Sequence, residues 1–412
     1  MHVAEHQSFL SFPLSDSIHK MANLCFSPSP AELRYLGLSQ YETYLLSRLV
    51  QTLRLGAYMS MKLSNTDVPL DSSHPGAADC EAYIKSAFSS DMLSDRLFPL
   101  RHTGSSMRFI LAQRPVPDDA SKLTTVKIFQ LCVWRTFAFG NKEHLEEVTF
   151  KGDKKPDLQK LASTIQMWGN GELKLPVPAY GQLQITKAKI PTMLSSLWEL
   201  SEEISSKLKS KSSTPTFTAL HERLLNKKIP AIPPHGLIAW LLTSDFFEYG
   251  LCQPPTIQNL ADHMMKSGTS GPKGAIKIVA EETNQPAPAT LEELAHVLTR
   301  VFAIIESPTE NTPTIQQVVA DCKDIQGREL TVVDLEHALC KIARQNTRAK
   351  AGKGKSRESR AKGRQPKAGA RKENMVDDSD AGTDAGGIQI KLTRSKKQEV
   401  MAIVGKQQGD RS

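Results

Sequence analysis

Four residues that could do chemistry lie within seven positions near residue 340. They are Asp334, Glu336, His337 and Cys340, in the stretch LTVVDLEHALCKIARQ (residues 330–345). On a helix, residues three or four apart share a face, so Cys340 could meet Glu336 or His337. Two carboxylates, an imidazole and a thiol suit acid–base chemistry or part of a metal site. A metal site usually needs a third and a fourth ligand.

Helix capping explains part of this set. Thr331 and Asp334 fit a capping pair, in which the acid also favours the positive end of the helix. The apolar positions of the same segment form a stripe for the core: Val333, Leu335, Leu339 and Ile342. Capping does not explain Glu336 and His337, which leaves a polar site around these two residues as an alternative to a purely structural role.

Two charged residues interrupt apolar segments elsewhere in the chain. Asp245 lies in WLLTSDFFEYG (240–250), and Arg135 lies in QLCVWRTFAFG. A buried acid is either bonded to a donor or has its pKa raised for chemistry, and a structural carboxylate is the more common outcome. Arg135 could be a buried ion-pair partner or a phosphate ligand.

A glycine-rich stretch, SGTSGPKGAIKIV (267–279), joins two helical segments. Gly271, Pro272, Lys273 and Gly274 predict a tight turn whose backbone amides and lysine could hold a phosphate, as in a DNA-binding hairpin between helices. The alternative is an ordinary glycine-rich connection between helices.

The elements that carry these residues are mainly helices. Ser29 with Glu32, Ser39 with Glu42, and Thr290 with Glu293 have the spacing of capping boxes. Apolar residues recur every three or four positions through most of the chain to residue 345, and alternation with period two is confined to QLQITK and IQIKL. The sequence therefore predicts an all-α fold.

Composition divides the chain into three parts. We predict an N-terminal extension at 1–28, a helical domain at 29–345 and a basic, then acidic, tail at 346–412. Residues 344–372 hold twelve lysine or arginine residues and one acid, whereas the chain before them is slightly acidic. Because the tail has almost no aromatic or branched residues, we expect it to be disordered, to contact nucleic acid and to direct the chain to the nucleus.

Other classes of protein find little support. The six cysteines include no CxxC pair, which is typical of reduced thiols inside cells. No signal peptide or long apolar run suggests a membrane protein. The stretch AKAGKGKS lacks the first glycine of a P-loop, and the common hydrolase and dehydrogenase motifs do not occur.

Three segments in this order carry a resemblance to a known family: KIFQLCVWR (127–135), residues 236–279, and LTVVDLEHALCKIARQ. Together, over about 80–345, they resemble the hydroxymethyluracil DNA kinase helical domain and the related α-glutamyl/putrescinyl thymine pyrophosphorylases, which also occur in fungi. The matching positions are Arg135, Asp245, Tyr249, Gly271, Pro272, Gly274, Asp334, Glu336, His337, Leu339 and Cys340. Lys273 replaces a glycine of the family pattern, and Lys341 replaces an acid.

The resemblance implies an all-helical, DNA-glycosylase-like body that acts on thymine-derived bases extruded from DNA. Asp245, Glu336 and His337 would then be catalytic, while Arg135 and the Gly271, Pro272, Lys273, Gly274 turn would contact DNA. We expect no metal or other cofactor, with ATP or a divalent ion only if a separate kinase activity is involved. The alternatives are a DNA-binding module without catalysis and a helical scaffold for a protein partner.

Overall fold

The computed structural model describes ten parts of the chain. They are residues 28–63, 83–84, 97–113, 123–168, 174–177, 181–210, 214–230, 232, 236–267 and 270–361. The predicted N-terminal extension therefore lies outside the described residues, apart from Pro28. The division of the chain into two units at Gly363 places every described element in the first unit.

The first two helices begin where the sequence predicts. Helix α1 is Pro30–Arg34 and helix α2 is Gln40–Leu63. The Ser29 amide donates to the Glu32 carboxylate at 2.7 Å and the Ser39 amide donates to Glu42 at the same distance, which completes both capping boxes. Helix α2 is long, and most of its residues between Tyr41 and Met61 are buried.

Twelve further helices follow in the described parts of the chain. They are α3 Ser105–Ala112, α4 Thr125–Val133, α5 Lys142–Glu147, α6 Leu158–Met167, α7 Ile190–Lys209, α8 Phe217–Asn226, α9 Leu237–Glu248, α10 Ile257–Lys266, α11 Ser270–Thr283, α12 Leu291–Glu306, α13 Pro313–Gln326 and α14 Val332–Ala361. Short 3₁₀ turns cover Arg101–Thr103 and Lys187–Lys189. The all-α prediction is confirmed.

One hairpin departs from the helical pattern. Strand β1, Lys174–Val177, pairs antiparallel with strand β2, Gly181–Thr186. The second strand contains the alternating segment QLQITK as far as Thr186, so the period-two signal there was read correctly. The other alternating segment, IQIKL, lies outside the described residues.

Helix α2 lies at the centre of one group of helices and contacts α11, α12, α13 and α14. A second group is built on α4, which packs on α7, and α7 in turn contacts α6. Helix α9 packs on α8 and α4. The buried apolar side chains of both groups belong to one continuous core, so helices far apart in sequence are held in one packed arrangement.

The last helix continues past the predicted domain boundary. Helix α14 runs without interruption from Val332 to Ala361, so residue 346 is not a break in secondary structure. A helix already anchored in the core can add residues without a new nucleation step, so a helical backbone up to Ala361 is compatible with a tail whose composition predicts disorder. We call residues 347–361 the distal segment of α14. The rest of the predicted tail, 362–412, lies outside the described residues.

Among the helices that the structure describes, none combines the length and the apolar character needed to cross a membrane.

Candidate functional site

The carboxylate of Asp245 lies at the centre of the candidate site. Asp245 is on α9, a helix that is apolar on nearly all sides, and only 1% of the residue is exposed. Arg135 and Arg101 both form ion pairs with it, and the second Arg135 contact, from Nη2 to Oδ1, measures 2.5 Å. Asp245 is thus bonded to buried donors and Arg135 has a buried ion-pair partner. The catalytic role of Asp245 and the DNA contact of Arg135 stay predictions.

A π-helical segment positions Arg135. Residues Trp134–Ala138 follow α4 directly and form one wider turn before Phe139 leaves the helix. The guanidinium of Arg135 lies 3.7 Å from the centre of the Phe139 ring and 3.3 Å from the sulfur of Met107. π-Helical turns often occur at functional sites. Here the π-helical segment carries Arg135, which forms the ion pair with Asp245.

A second carboxylate, Glu248, lies one turn further along α9. It accepts hydrogen bonds from Nη2 of Arg328 at 3.0 Å and from His102 at 2.8 Å. Burial by itself would raise the pKa of Glu248, but the His102 hydrogen bond and the charges of His102, Arg328 and Arg101 outweigh burial and lower this pKa to about 2. Glu248 is therefore ionised at neutral pH.

A third carboxylate, Asp334, lies in the first turn of α14 and forms an ion pair with Arg328. Asp334 accepts from the Thr331 amide at 2.8 Å and from the Thr331 hydroxyl at 2.9 Å. Nη1 of Arg328 donates to it at 2.6 Å. The predicted capping role of Thr331 and Asp334 is confirmed, and Arg328 adds an ion pair that the sequence did not indicate.

These groups form one buried ionic network with balanced charge. Its three carboxylates and three guanidinium groups belong to Asp245, Glu248, Asp334, Arg101, Arg135 and Arg328. The network joins the turn at Arg101–Thr103, the π-helical segment, α9 and the start of α14. A balanced network avoids the cost of an unpaired buried charge.

Glu336 and His337 lie beside this network, each with a protein partner. The thiol of Cys340 donates to Glu336 Oε1 at 3.2 Å, and His337 Nε2 lies 2.9 Å from the carbonyl oxygen of Phe98, to which it donates. Burial raises the pKa of Glu336, although Cys340 and the nearby cations oppose this. Burial, with the charges of Lys341 and Arg101, lowers the pKa of His337 well below its usual value. The imidazole is therefore neutral at pH 7.

The glycine-rich stretch does not form the predicted turn. Gly271, Pro272, Lys273 and Gly274 form the first turn of α11. Proline fits there because the first amides of a helix have no partner within it. A β-carbon at Gly271 would lie 2.5 Å from Cys340 Sγ, and one at Gly274 would lie 3.1 Å from the Ala343 β-carbon. The glycines thus let α11 pack closely on α14, and their contact with DNA stays a prediction.

The charge of Lys273 has a local partner as well. Its Nζ donates to the carbonyl oxygen of Met265 at 3.0 Å, at the end of α10, while the residue itself stays exposed. Lys273 therefore ties the beginning of α11 to the preceding helix.

The described residues leave little room for a substrate beside these carboxylates. Asp245 and Glu336 are each 1% exposed, so neither carboxylate reaches the surface. A cavity of about 10 Å³ lies between α2, α12 and α14 and is lined by Leu53, Phe302 and Asp334 among others. It has room for about one water molecule and is far too small for a nucleobase. Within the described residues, no group of three or more histidine, cysteine or acidic side chains is placed to hold a metal ion.

Sequence reasoning missed Arg101, His102, Glu248 and Arg328. Glu248 lies within the quoted stretch WLLTSDFFEYG, three positions after Asp245, and this helical spacing could have drawn attention to it. The segment PLRHTG, which carries Arg101 and His102, has no pattern that marks buried charges. The partners of Arg101 are about 140 residues away in the chain, so only the folded structure identifies them.

Comparison with family models, with curated proteins and with solved structures finds no match for this chain. The assignment of a function therefore depends on the residues and their geometry.

We expect Asp245→Asn to destabilise the fold by about 3 to 5 kcal/mol, because it leaves Arg101 and Arg135 without their shared counter-charge in a buried place. Urea unfolding at neutral pH measures this free energy. The control is Asp262→Asn, which removes an exposed pair with Lys266 and should cost less than about 1 kcal/mol. Equal effects of the two variants would contradict a central role for Asp245.

The two buried glutamates should respond oppositely to pH. Because the folded pKa of Glu248 is depressed, its contribution of about 3 kcal/mol is present above the unfolded pKa of 4.5 and is lost as pH falls towards 2. Glu248→Gln should therefore destabilise at pH 7 and have little effect near pH 2.

For Glu336, whose folded pKa is raised, ionisation opposes folding, so stability falls as pH rises through the range above 4.5. Glu336→Gln should remove this fall and leave the protein at least as stable at pH 7. Unfolding measured from pH 2 to pH 8 compares both variants with the unaltered chain. A loss of stability in Glu336→Gln at pH 7 would mean that the ionised carboxylate is required.

Proposed function

We propose that this chain is a DNA-associated helical protein that contacts duplex DNA through the distal segment of α14, without catalysing a reaction. The observation that carries the proposal is that one helix leaves the packed core and continues, as unbroken backbone, into a strongly basic sequence. The distal segment, 347–361, has six lysine or arginine residues and one acid, Glu358.

A segment with this density of positive charge favours binding to a polyanion such as DNA. Each lysine or arginine that neutralises a phosphate releases counterions, and this release supplies most of the affinity for DNA that does not depend on sequence. The distal segment spans about 22 Å at 1.5 Å per residue, and the major groove of B-form DNA admits an α-helix. The proposal thus combines a helical backbone with a charge that the body of the protein lacks.

The buried ionic network supports the proposal by orienting the helix. Asp334 caps the start of α14 and is held by Arg328, and the first turn of α11 packs on Cys340 and Ala343. The first half of α14 is therefore fixed in direction, and a DNA-binding helix that is fixed at one end loses less conformational freedom on binding. The same burial argues against catalysis, because Asp245 and Glu336 are enclosed.

The test is fluorescence anisotropy of a labelled duplex of about 25 base pairs with the full chain, at several salt concentrations. In the double variant Lys353→Glu and Lys355→Glu we expect weaker binding and a plot of log affinity against log salt that is shallower by roughly two.

The matched control is Lys142→Glu with Lys277→Glu, which changes the net charge equally on two exposed body residues whose side chains are 72% and 78% exposed. It should leave affinity nearly unchanged. Equal losses in both double variants would point to bulk charge, and no loss in either would exclude α14 as the contact.

A second candidate function, the processing of a modified thymine base, has one observation in its favour. Asp245 on α9 and the adjacent residues Glu336 and His337 on α14 lie around the same residue, Arg101. Arg101 is paired with Asp245, and its charge also lowers the pKa of Glu336 and of His337. Processing requires these groups to open to an extruded base.

If this second candidate is right, the full chain should bind or alter a duplex that contains hydroxymethyluracil in preference to one that contains thymine. Glu336→Gln should stay folded and lose that preference. The measurement is the ratio of the two affinities, with mass spectrometry of the recovered DNA. Equal affinities and unchanged DNA in the unaltered chain would eliminate the candidate.

A further inference from the structure

We infer that the distal segment of α14 is only marginally stable as a helix in the free chain and becomes stably helical when it binds duplex DNA. Its folding and its DNA binding are therefore coupled. The inference rests on the proposed function and adds the conformation in which the contact is made and the class of nucleic acid that fits it. Three observations carry it: the helical backbone to Ala361, the glycine content of the segment and the arrangement of its charges along the helix.

Glycines make the segment a poor helix in isolation. Gly352 and Gly354 lie within α14, and each disfavours the helix roughly five-fold relative to alanine. The rest of the segment consists mainly of small and charged residues, with no apolar stripe that could pack on a partner helix. The sequence of this segment therefore predicts little of the tertiary packing that stabilises most protein helices.

Like charges oppose the helix as well. Arg344 and Arg348 are four positions apart, and so are Lys353 and Arg357, which makes each pair neighbours on the helix surface. Glu358 is the one acid between Arg344 and Arg360, so it cannot compensate for the repulsion in both pairs. A polyanion would remove this repulsion, because neutralised side chains no longer repel each other.

The first half of α14 lowers the cost of the transition. Cys340 lies in the anchored part of the helix, beside Gly271 at the start of α11, and Lys341 next to it is buried. The nucleation step, which is the unfavourable part of helix formation, is thus already complete at residue 346. Each further residue adds to an existing helix, so a small gain from phosphate contacts is enough to extend it.

Double-stranded DNA is the nucleic acid that fits this element best. Basic positions occur on opposite sides of the helix, since Arg348 and Lys355 share one side and Lys353 and Arg357 share the other. A helix with cations on both sides can meet the phosphates of both strands when it lies in a groove of about 12 Å, the width of the major groove of B-form DNA. The corresponding groove of A-form RNA is deep and narrow, so double-stranded RNA should bind less well.

The experiment measures amide hydrogen exchange of peptides from 347–361 in the full chain, with and without a 25-base-pair DNA duplex. We expect exchange in the free chain to be fast and to slow strongly when the duplex is added. Exchange that is already slow without DNA would overturn the coupling, and so would exchange that stays fast in the saturated complex.

Two variants test the energetics by affinity. Gly352→Ala with Gly354→Ala should slow exchange in the free chain and tighten DNA binding by up to roughly 20-fold, because less helix has to form on binding. The matched pair Ala349→Gly with Ala351→Gly should weaken binding by a comparable factor. If the alanine pair tightens binding and the glycine pair does not weaken it, the added methyl groups act by direct contact and the coupling is wrong.

The outcomes separate this inference from the proposed function. If Lys353→Glu with Lys355→Glu weakens DNA binding while neither the alanine nor the glycine pair changes it, the DNA contact stands and the coupled folding fails. If none of these variants changes binding, both fail. The same titrations with an RNA duplex and with single-stranded DNA should give weaker binding, and equal affinity for either would overturn the assignment to double-stranded DNA.

Discussion

The carboxylate of Asp245 and the two guanidinium groups that hold it are the interaction on which the rest of this structure depends. Arg101 comes from a short 3₁₀ turn, Arg135 from a π-helical segment and Asp245 from the middle of an apolar helix. A buried carboxylate without a cation, or a buried guanidinium without an acid, costs several kcal/mol, so none of the three can be placed without the others. Packing of α4, α9 and the turn at residues 101–103 must therefore satisfy this contact.

The network extends from that contact to the start of α14. Arg328 links Glu248 on α9 with Asp334 in the first turn of α14, and its side chain is 22% exposed, whereas the side chains of Arg101 and Arg135 are 2% exposed. The outer end of the network is thus the part nearest to solvent. Through Arg328, the start of α14 is held against the buried ionic network. The network therefore fixes the direction of the helix that carries the distal segment.

The burial of Glu336 and His337 changes the interpretation of residues 330–345. An acid, an imidazole and a thiol at helical spacing suggest a reactive site, yet in the structure each of them has a partner within the protein. Burial raises the pKa of Glu336 and lowers the pKa of His337, so for both side chains it disfavours the charged form. The chemistry of these residues therefore fits a packed helix interface at least as well as a pocket.

The sequence by itself determined the helical class, the capping boxes at Ser29, Ser39 and Thr290, and the presence of unusual buried charges at Arg135 and Asp245. These features depend on residues three or four positions apart, or on one charged residue in an apolar segment, and both are visible in one dimension.

Only the tertiary structure decided which charges meet. Arg101 and Asp245 are 144 residues apart, and His102 and Arg328 are 226 apart. The glycines at 271 and 274 likewise suggested a turn, because their use in close packing against α14 depends on a helix that lies about 70 residues further along the chain. Local sequence patterns do not identify such partners, because burial and ion pairing arise only when distant helices pack into one core.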